Sequence, residues 1–170
     1  MNRKNLILCG FMGCGKTSVG QALAQQTGRT FVDMDDYIET QENRKISDIF
    51  AQDGELYFRT LERSVVKTLS KRSGLVVATG GGVLVNPENA AEFKKNGLIL
   101  LLDAPLDVIK LRLEGDHTRP LLERRDRDAA MQELYNQRIG LYQSAADFII
   151  PAGGTVEEVV KNILNLPNLS

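Results

Sequence analysis

Two cysteines in a chain of 170 residues do not make a disulfide scaffold. There is one histidine, His117, and nothing near it in sequence suggests a base or a metal ligand, so it reads as solvated. Charge of neither sign is in surplus: Lys and Arg number 21 and Asp and Glu 22, for a net charge of -1. That balance argues against a nucleic-acid or membrane-surface protein. No stretch reaches the ~18 uncharged apolar residues of a membrane span. The opening, Arg3 and Lys4 before Leu6-Ile7-Leu8, faintly mimics a signal peptide, but its apolar run is short and Gly13 to Lys16 interrupt it. The expectation is a cytoplasmic protein. Internal repeats, low-complexity tracts and interdomain linkers are also missing. What is there is 42% hydrophobic and 25% charged, near the globular average, and the length suits one domain over residues 1–170. At this size folding buries ~70% of the extended-chain surface, so a proper core is feasible.

The most informative feature is Gly10-Phe11-Met12-Gly13-Cys14-Gly15-Lys16-Thr17, which fits G-x-x-x-x-G-K-[ST]. Asn5-Leu6-Ile7-Leu8-Cys9 before it reads as a buried strand. Val19, Ala22 and Leu23 after it have helical spacing. Strand, glycine loop and helix form a phosphate cradle: backbone N–H groups turn inward around an anion, and the helix N-terminus adds partial positive charge. Lys16 can then reach the β- and γ-phosphates, and the Thr17 hydroxyl can bind Mg2+. Cys9 reads as a buried small hydrophobe. Cys14 lies beside Lys16 and the helix N-terminus, which favour a thiolate, although it also reads as a small residue that fits the loop. The expectation is that Cys14 is the reactive thiol and that bound nucleotide shields it.

Strands and helices alternate along the chain. Strands are expected at Asn5 to Cys9, Thr30 to Asp33, Leu75 to Thr79, Leu98 to Leu102 and Phe148 to Ile150. Helices are expected after the glycine loop, over Asp36 to roughly Gln52 with a break near Arg44 and Lys45, and over Glu55 to Lys71. Further helices are expected over Glu88 to Lys95, Leu106 to Leu113, Arg127 to Ala145 and Thr155 to Leu164. Such β-α alternation argues for a parallel sheet covered on both faces. Ligands on such a sheet bind at the carboxyl ends of the strands, and the polar residues of interest fall there.

The second strand delivers Asp33, then Asp35 and Asp36. Two-residue spacing places Asp33 and Asp35 on one side while the chain stays extended. One carboxylate near Thr17 could hold Mg2+, and a second could accept a proton from an attacking hydroxyl. Asp36 precedes Glu39 at capping-box spacing and is the expected helix cap. Gly80-Gly81-Gly82 follows the third strand, where glycine tolerates positive φ and lets a ligand approach the backbone. Arg59 lies near the strand ends and either pairs with Glu55 or binds an anion. Arg138 shares a helical stripe with Met131, Leu134, Tyr135 and Tyr142. A guanidinium on an apolar face needs an anionic partner, either a structural carboxylate or a ligand. Residues 112–127 hold Arg112, Arg119, Arg124, Arg125 and Arg127 interleaved with acids. They read as a solvated loop or as a mobile lid that brings an arginine onto phosphates.

Taken in order, the glycine loop, Asp33-Met34-Asp35, Gly54-Glu55 with Phe58-Arg59, Gly80-Gly81-Gly82, Arg119-Pro120-Leu121-Leu122 and Arg138 with Leu141-Tyr142 resemble shikimate kinase. The order and intervals match from residue 5 to about 150. The resemblance implies an α/β P-loop kinase of the nucleoside-monophosphate-kinase type, with a five-stranded parallel sheet of order 2-3-1-4-5. It implies a lid at residues 112–127 and a mobile substrate-binding segment at residues 34–60. It also implies ATP-dependent phosphorylation of the 3-hydroxyl of shikimate, in aromatic amino-acid biosynthesis, with Mg2+. A monomer with no nucleic-acid or membrane partner is the expectation.

By the same resemblance, Gly13, Cys14, Gly15, Lys16, Thr17 and Ser18 bind nucleotide phosphates. Thr17 and Asp33 serve Mg2+. Asp35 contacts the reacting hydroxyl as candidate base. Arg59 and Arg138 clamp the carboxylate, and Gly80, Gly81 and Gly82 line the ring side, with Gly81 and Gly82 as N–H donors. Phe50 and Phe58 form pocket wall. Arg119 closes over the phosphates, and Arg112 stacks on adenine. The stretch Pro151 to Thr155 lacks a basic residue that some members carry there.

A GTPase switch would need a guanine-reading N-K-x-D, which is absent. A non-catalytic nucleotide module would lack an acceptor side. Another small-metabolite kinase, such as gluconate kinase, is the alternative; a carboxylate-bearing acceptor fits both, and the motif set favours shikimate.

Overall fold

The computed structural model describes residues 3–117 and 120–169. Five parallel strands form one sheet: β1 (Asn5–Cys9), β2 (Thr30–Asp33), β3 (Leu75–Ala78), β4 (Gly97–Asp103) and β5 (Phe148–Pro151), in spatial order β2-β3-β1-β4-β5. The expected order is thus observed. β1 sits at the centre, with Ile7 in register with Val77 of β3 and Ile99 of β4. All five β1 residues are buried. A strand covered on both faces has no polar side to show, which is why β1 and β4 read as continuous apolar runs rather than alternating ones.

The helices are α1 (Lys16–Thr27), α2 (Met34–Glu42), α3 (Ile46–Ser70), α4 (Pro87–Lys94), α5 (Leu106–Arg112), α6 (Arg127–Ala145) and α7 (Val156–Leu164). The chain leaves β1 toward β2 and leaves β3 in the opposite direction toward β4. Right-handed crossovers then place α1 on one face and α3, α4 and α6 on the other. The packing agrees, with α1 against α7 and α4 against α3 and β4. Because β1 and β3 are neighbours whose connections run opposite ways, a crevice opens between their carboxyl ends. The glycine loop follows β1 and the triple glycine follows β3, so both edges of that crevice are glycine-rich.

Three local expectations are corrected. The chain does not stay extended through Asp35: α2 begins at Met34, which puts Asp35 in its first turn. The cap is Asp33, not Asp36, and the Asp33 Oδ1 accepts from the N–H groups of Asp35 (3.0 Å) and Asp36 (3.1 Å). Glu39, expected to complete a capping box, instead accepts from the Ile46 N–H at 2.9 Å and so starts α3. The break near Arg44 is present, with Asn43 at φ 53°. α3 then runs on through a second, internal break at Gly54 (φ 85°, ψ 175°). Among the described residues no helix is long and apolar enough to cross a membrane.

Candidate active site

The glycine loop is built from backbone conformations that side chains resist: Gly13 has φ 73° and Gly15 φ 100°. Gly15 caps α1 without any side-chain hydrogen bond, and the first turn of α1 holds no acid. Every other α-helix among the described residues has Asp or Glu in its first turn. An acid there stabilises a helix by a few tenths of a kcal/mol or more, so its omission leaves the positive pole of α1 for an external anion. Lys16 Nζ donates back to the carbonyl oxygens of Gly10 (2.5 Å) and Phe11 (3.4 Å), which holds the ammonium at the rim of the loop. Thr17 and Ser18 are exposed in the first turn of α1.

Asp33 divides its two oxygens. Oδ1 caps α2, while Oδ2 accepts from Thr17 Oγ1 at 3.3 Å. Asp35 lies deeper. Burial first, and the neighbouring Asp33 carboxylate second, push its pKa up to about 6, against the opposing pull of Lys16. That range suits a group that must gain and lose a proton near neutrality.

A hollow of about 340 Å³ joins these parts. Lys16, Thr17, Asp33, Asp35, Gly80, Gly81 and Arg138 line it. Beyond Arg138 a second hollow of about 470 Å³ is lined by Arg59, Glu62, Gly82 and Arg138 among others. A larger depression of about 580 Å³ runs along α2 and shares only Asp36 with the first, so size does not select the site; the phosphate loop does.

The two arginines are held differently. Arg59 pairs with Glu62 at 2.6 Å and with the more exposed Glu55 at 3.4 Å. The expected Arg59–Glu55 pair therefore exists, but the stronger partner is Glu62, whose side chain is 3% exposed. Burial raises the Glu62 pKa, and Arg59 pulls it back. Arg138 has no ion pair among the described residues. Its guanidinium lies beside the hydroxyl of Tyr142, which donates to the Gly81 carbonyl at 2.6 Å. Of the two readings open for Arg138, the structural carboxylate partner is not found among the described residues.

Arg112 ties two loops together: its guanidinium donates to Gly13 O (3.2 Å), Ala152 O (2.8 Å) and Gly154 O (3.0 Å). It thus stands between the phosphate loop and the stretch that lacks a basic side chain. Phe50 and Phe58 pack against each other at 4.8 Å, and neither lines either hollow. Arg119 lies outside the described residues.

The burial of Cys14 argues against the expectation that it is the reactive thiol. Cys14 is 2% exposed, because the loop folds its Sγ beneath Gly10. Cys9 is 1% exposed, and burial pushes its thiol up to about 12. Thiol reagents should therefore label neither cysteine quickly in the folded protein, and both only as it opens. Labelling by Ellman's reagent under native and denaturing conditions checks this; rapid native labelling of one thiol would contradict it.

The shikimate kinase family model matches residues 12–167. The chain belongs to the shikimate kinase family. A shikimate kinase of Persephonella marina is 40% identical over 161 residues, covering 95% of this chain and 97% of its own. The solved shikimate kinase of Acinetobacter baumannii, in complex with shikimate, superposes with a TM-score of 0.88 at 35% identity, over 95% of this chain and 91% of that one. A gluconokinase from Sinorhizobium meliloti superposes with a TM-score of 0.58 at 15% identity, over 95% and 90%, which shows a shared fold alone. Gluconate phosphorylation is thus not favoured. Like its family, the chain is a phosphotransferase with an alcohol acceptor, and its reaction is the ATP-dependent phosphorylation of shikimate.

One residue lining the second hollow, Glu62, was not singled out from sequence. Glu62 falls on the same stripe as Phe58, Val65 and Leu69, and a carboxylate on an apolar stripe is the signal that marked Arg138. Tyr142, expected on the Arg138 stripe and in the motif with Leu141, also donates its hydroxyl to Gly81 O.

Proposed function

We propose that the 340 Å³ hollow is where phosphoryl transfer to shikimate occurs, with the nucleotide on the α1 side and the acceptor on the Arg138 side. The observation that carries this reading is the convergence of Lys16, Asp35 and Arg138 on one hollow. Phosphoryl transfer depends on positioning and charge neutralisation more than on covalent chemistry. The backbone of Gly13, Cys14, Gly15, Lys16, Thr17 and Ser18 receives the phosphates at the acid-free pole of α1. Lys16 exchanges its carbonyl partners for the β- and γ-oxygens, and Arg112 faces adenine from between its two loops. Arg119 closes the lid over the phosphates.

Asp35 takes the proton from the acceptor 3-hydroxyl. Arg59 and Arg138 fork onto the acceptor carboxylate, a match of planar groups that lysine would not reproduce. Gly81 and Gly82 offer N–H groups, and Phe50 and Phe58 wall the pocket after the 34–60 segment moves in. The donor set fits Mg2+, which retains several waters and asks for one or two protein oxygens beside the phosphates. Thr17 Oγ1 and Asp33 Oδ2 are adjacent at 3.3 Å, and capping occupies only the other Asp33 oxygen. Bound there, Mg2+ would neutralise charge on the β- and γ-phosphates. The working form in this proposal is a cytoplasmic monomer.

The test is coupled ADP release with Mg-ATP and a panel of shikimate, gluconate and AMP. ADP release should depend on shikimate alone. Equal turnover of gluconate would overturn the reading of the acceptor side.

A further inference from the structure

None of Gly80, Gly81 and Gly82 is among the glycines with positive φ. Gly82, with φ −96° and ψ −8°, has a backbone that other residues adopt. Backbone freedom, the expectation from sequence, therefore does not explain the run. Space does. A Cβ on Gly80 would lie 2.8 Å from Asp35 Oδ1, and a Cβ on Gly81 would lie 2.7 Å from Arg138 Nη1. A Cβ on Gly82 would overlap the Arg59 guanidinium, 2.7 Å from its Cζ. In each case the obstructed atom belongs to the far end of a side chain rather than to backbone. A methyl group would thus move the side chain and leave the fold in place.

The geometry points to the triple glycine as a seat with three places, one for each of the groups that handle the acceptor. Gly80, Gly81 and Gly82 are positioning residues for Asp35, Arg138 and Arg59 in turn. This rests on the acceptor roles proposed above for those three side chains. Tyr142 supports the middle place, since its hydroxyl donates to the Gly81 carbonyl and lies with Arg138 Nη1 against the same glycine. Glu62 supports the last, holding Arg59 at 2.6 Å. Among the described residues the Gly81 and Gly82 N–H groups donate to no backbone carbonyl. An alanine that displaces a guanidinium by several tenths of an ångström spoils a bidentate fork without unfolding the protein.

The test uses Gly82→Ala and Gly81→Ala, each alone and combined with Arg59→Ala or Arg138→Ala. Each glycine variant should raise the KM for shikimate roughly tenfold, the scale of a sub-ångström misplacement. The KM for ATP should stay unchanged, and the melting temperature should move by no more than about 3 °C. In the matching arginine-to-alanine background the glycine change should add nothing, because the side chain it displaces is gone. Gly80→Ala should instead lower kcat and leave both KM values unchanged, since its Cβ displaces the Asp35 carboxylate.

An unchanged KM for shikimate, full additivity with the arginine variants, or losses that follow the melting temperature would each overturn the seat. If Arg59→Ala and Arg138→Ala themselves leave shikimate binding intact, the acceptor reading is wrong and the seat falls with it. That outcome is distinguishable, because it appears in the arginine variants alone.

Discussion

Asp35→Asn should lower kcat by a factor of ~10²–10⁴, the usual contribution of a general base, and at the same time raise the melting temperature. Both effects have one cause. Burial and the adjacent Asp33 raise the Asp35 pKa to about 6 in the fold, against an ordinary value of 3.8. A carboxyl whose folded pKa is raised binds protons more tightly in the native state, so its ionisation works against folding. The penalty is absent below pH ~4, grows between about pH 4 and 6, and is complete above that. A shift of about two units corresponds to roughly 1–3 kcal/mol. Asparagine never ionises and escapes that cost. In a chain of this size each kcal/mol moves the melting temperature by ~2–4 °C.

The variant should therefore melt with the native protein near pH 4 and several degrees above it at pH 7.5, while turnover is nearly lost. The native enzyme should also lose kcat/KM as pH falls through about 6, the pKa of the free base. Melting curves at both pH values, beside a pH–rate profile, check this. A variant that melts lower at pH 7.5 would show Asp35 to be a structural group. Retained turnover would remove it as the base.

How far the sequence reaches depends on the range of the interaction. The strands and the phosphate loop were legible because their signals are local: Leu6 to Leu8 are apolar without alternation, and Gly10 to Thr17 carry their own backbone logic. The sheet order followed from the family resemblance, which drew on the whole chain. Capping went wrong because Asp33 and Asp36 both satisfy short-range patterns. The choice falls to Asp33 once α2 starts at Met34, which frees Glu39 to reach Ile46. The burial of Cys14 depends on how the loop folds under Gly10. Arg112 finds Gly13 across 99 positions. No periodicity encodes such a contact. The triple glycine was conspicuous, but none of its residues has a positive φ; the side chains that lie against it arrive from α2, α3 and α6, and only the fold brings these together.

The two arginines assigned to one carboxylate should separate in the test tube. Arg138→Ala should weaken shikimate binding roughly 10- to 100-fold, the loss of one charge-assisted contact of about 1.5–3 kcal/mol. ATP binding and the melting temperature should barely change. No carboxylate among the described residues forms an ion pair with Arg138, whose pull on Glu62 is smaller than that of Arg59, and Tyr142 keeps its bond to Gly81 O. Lysine should restore part of the affinity at most, because it lacks the planar fork. Arg59→Ala should weaken shikimate as well, but it also strands Glu62, whose side chain is 3% exposed.

Breaking a buried pair from one side costs several kcal/mol. Arg59 is itself 35% exposed, so solvent screening reduces the figure to about 1–3 kcal/mol. The sign of its pH dependence follows from Glu62. Burial already raises that carboxyl above its ordinary value, and without Arg59 nothing as close opposes the rise. The Arg59→Ala deficit in melting temperature should accordingly be small near pH 4, where the carboxyl is protonated in both states, and should widen toward pH 8. Isothermal titration with shikimate and with ATP, together with melting curves across that range, distinguishes the pair. Equal and pH-independent destabilisation by both substitutions would mean that Glu62 does not depend on Arg59. A fall in melting temperature for Arg138→Ala with shikimate affinity intact would make Arg138 a structural residue and return the carboxylate clamp to Arg59 alone.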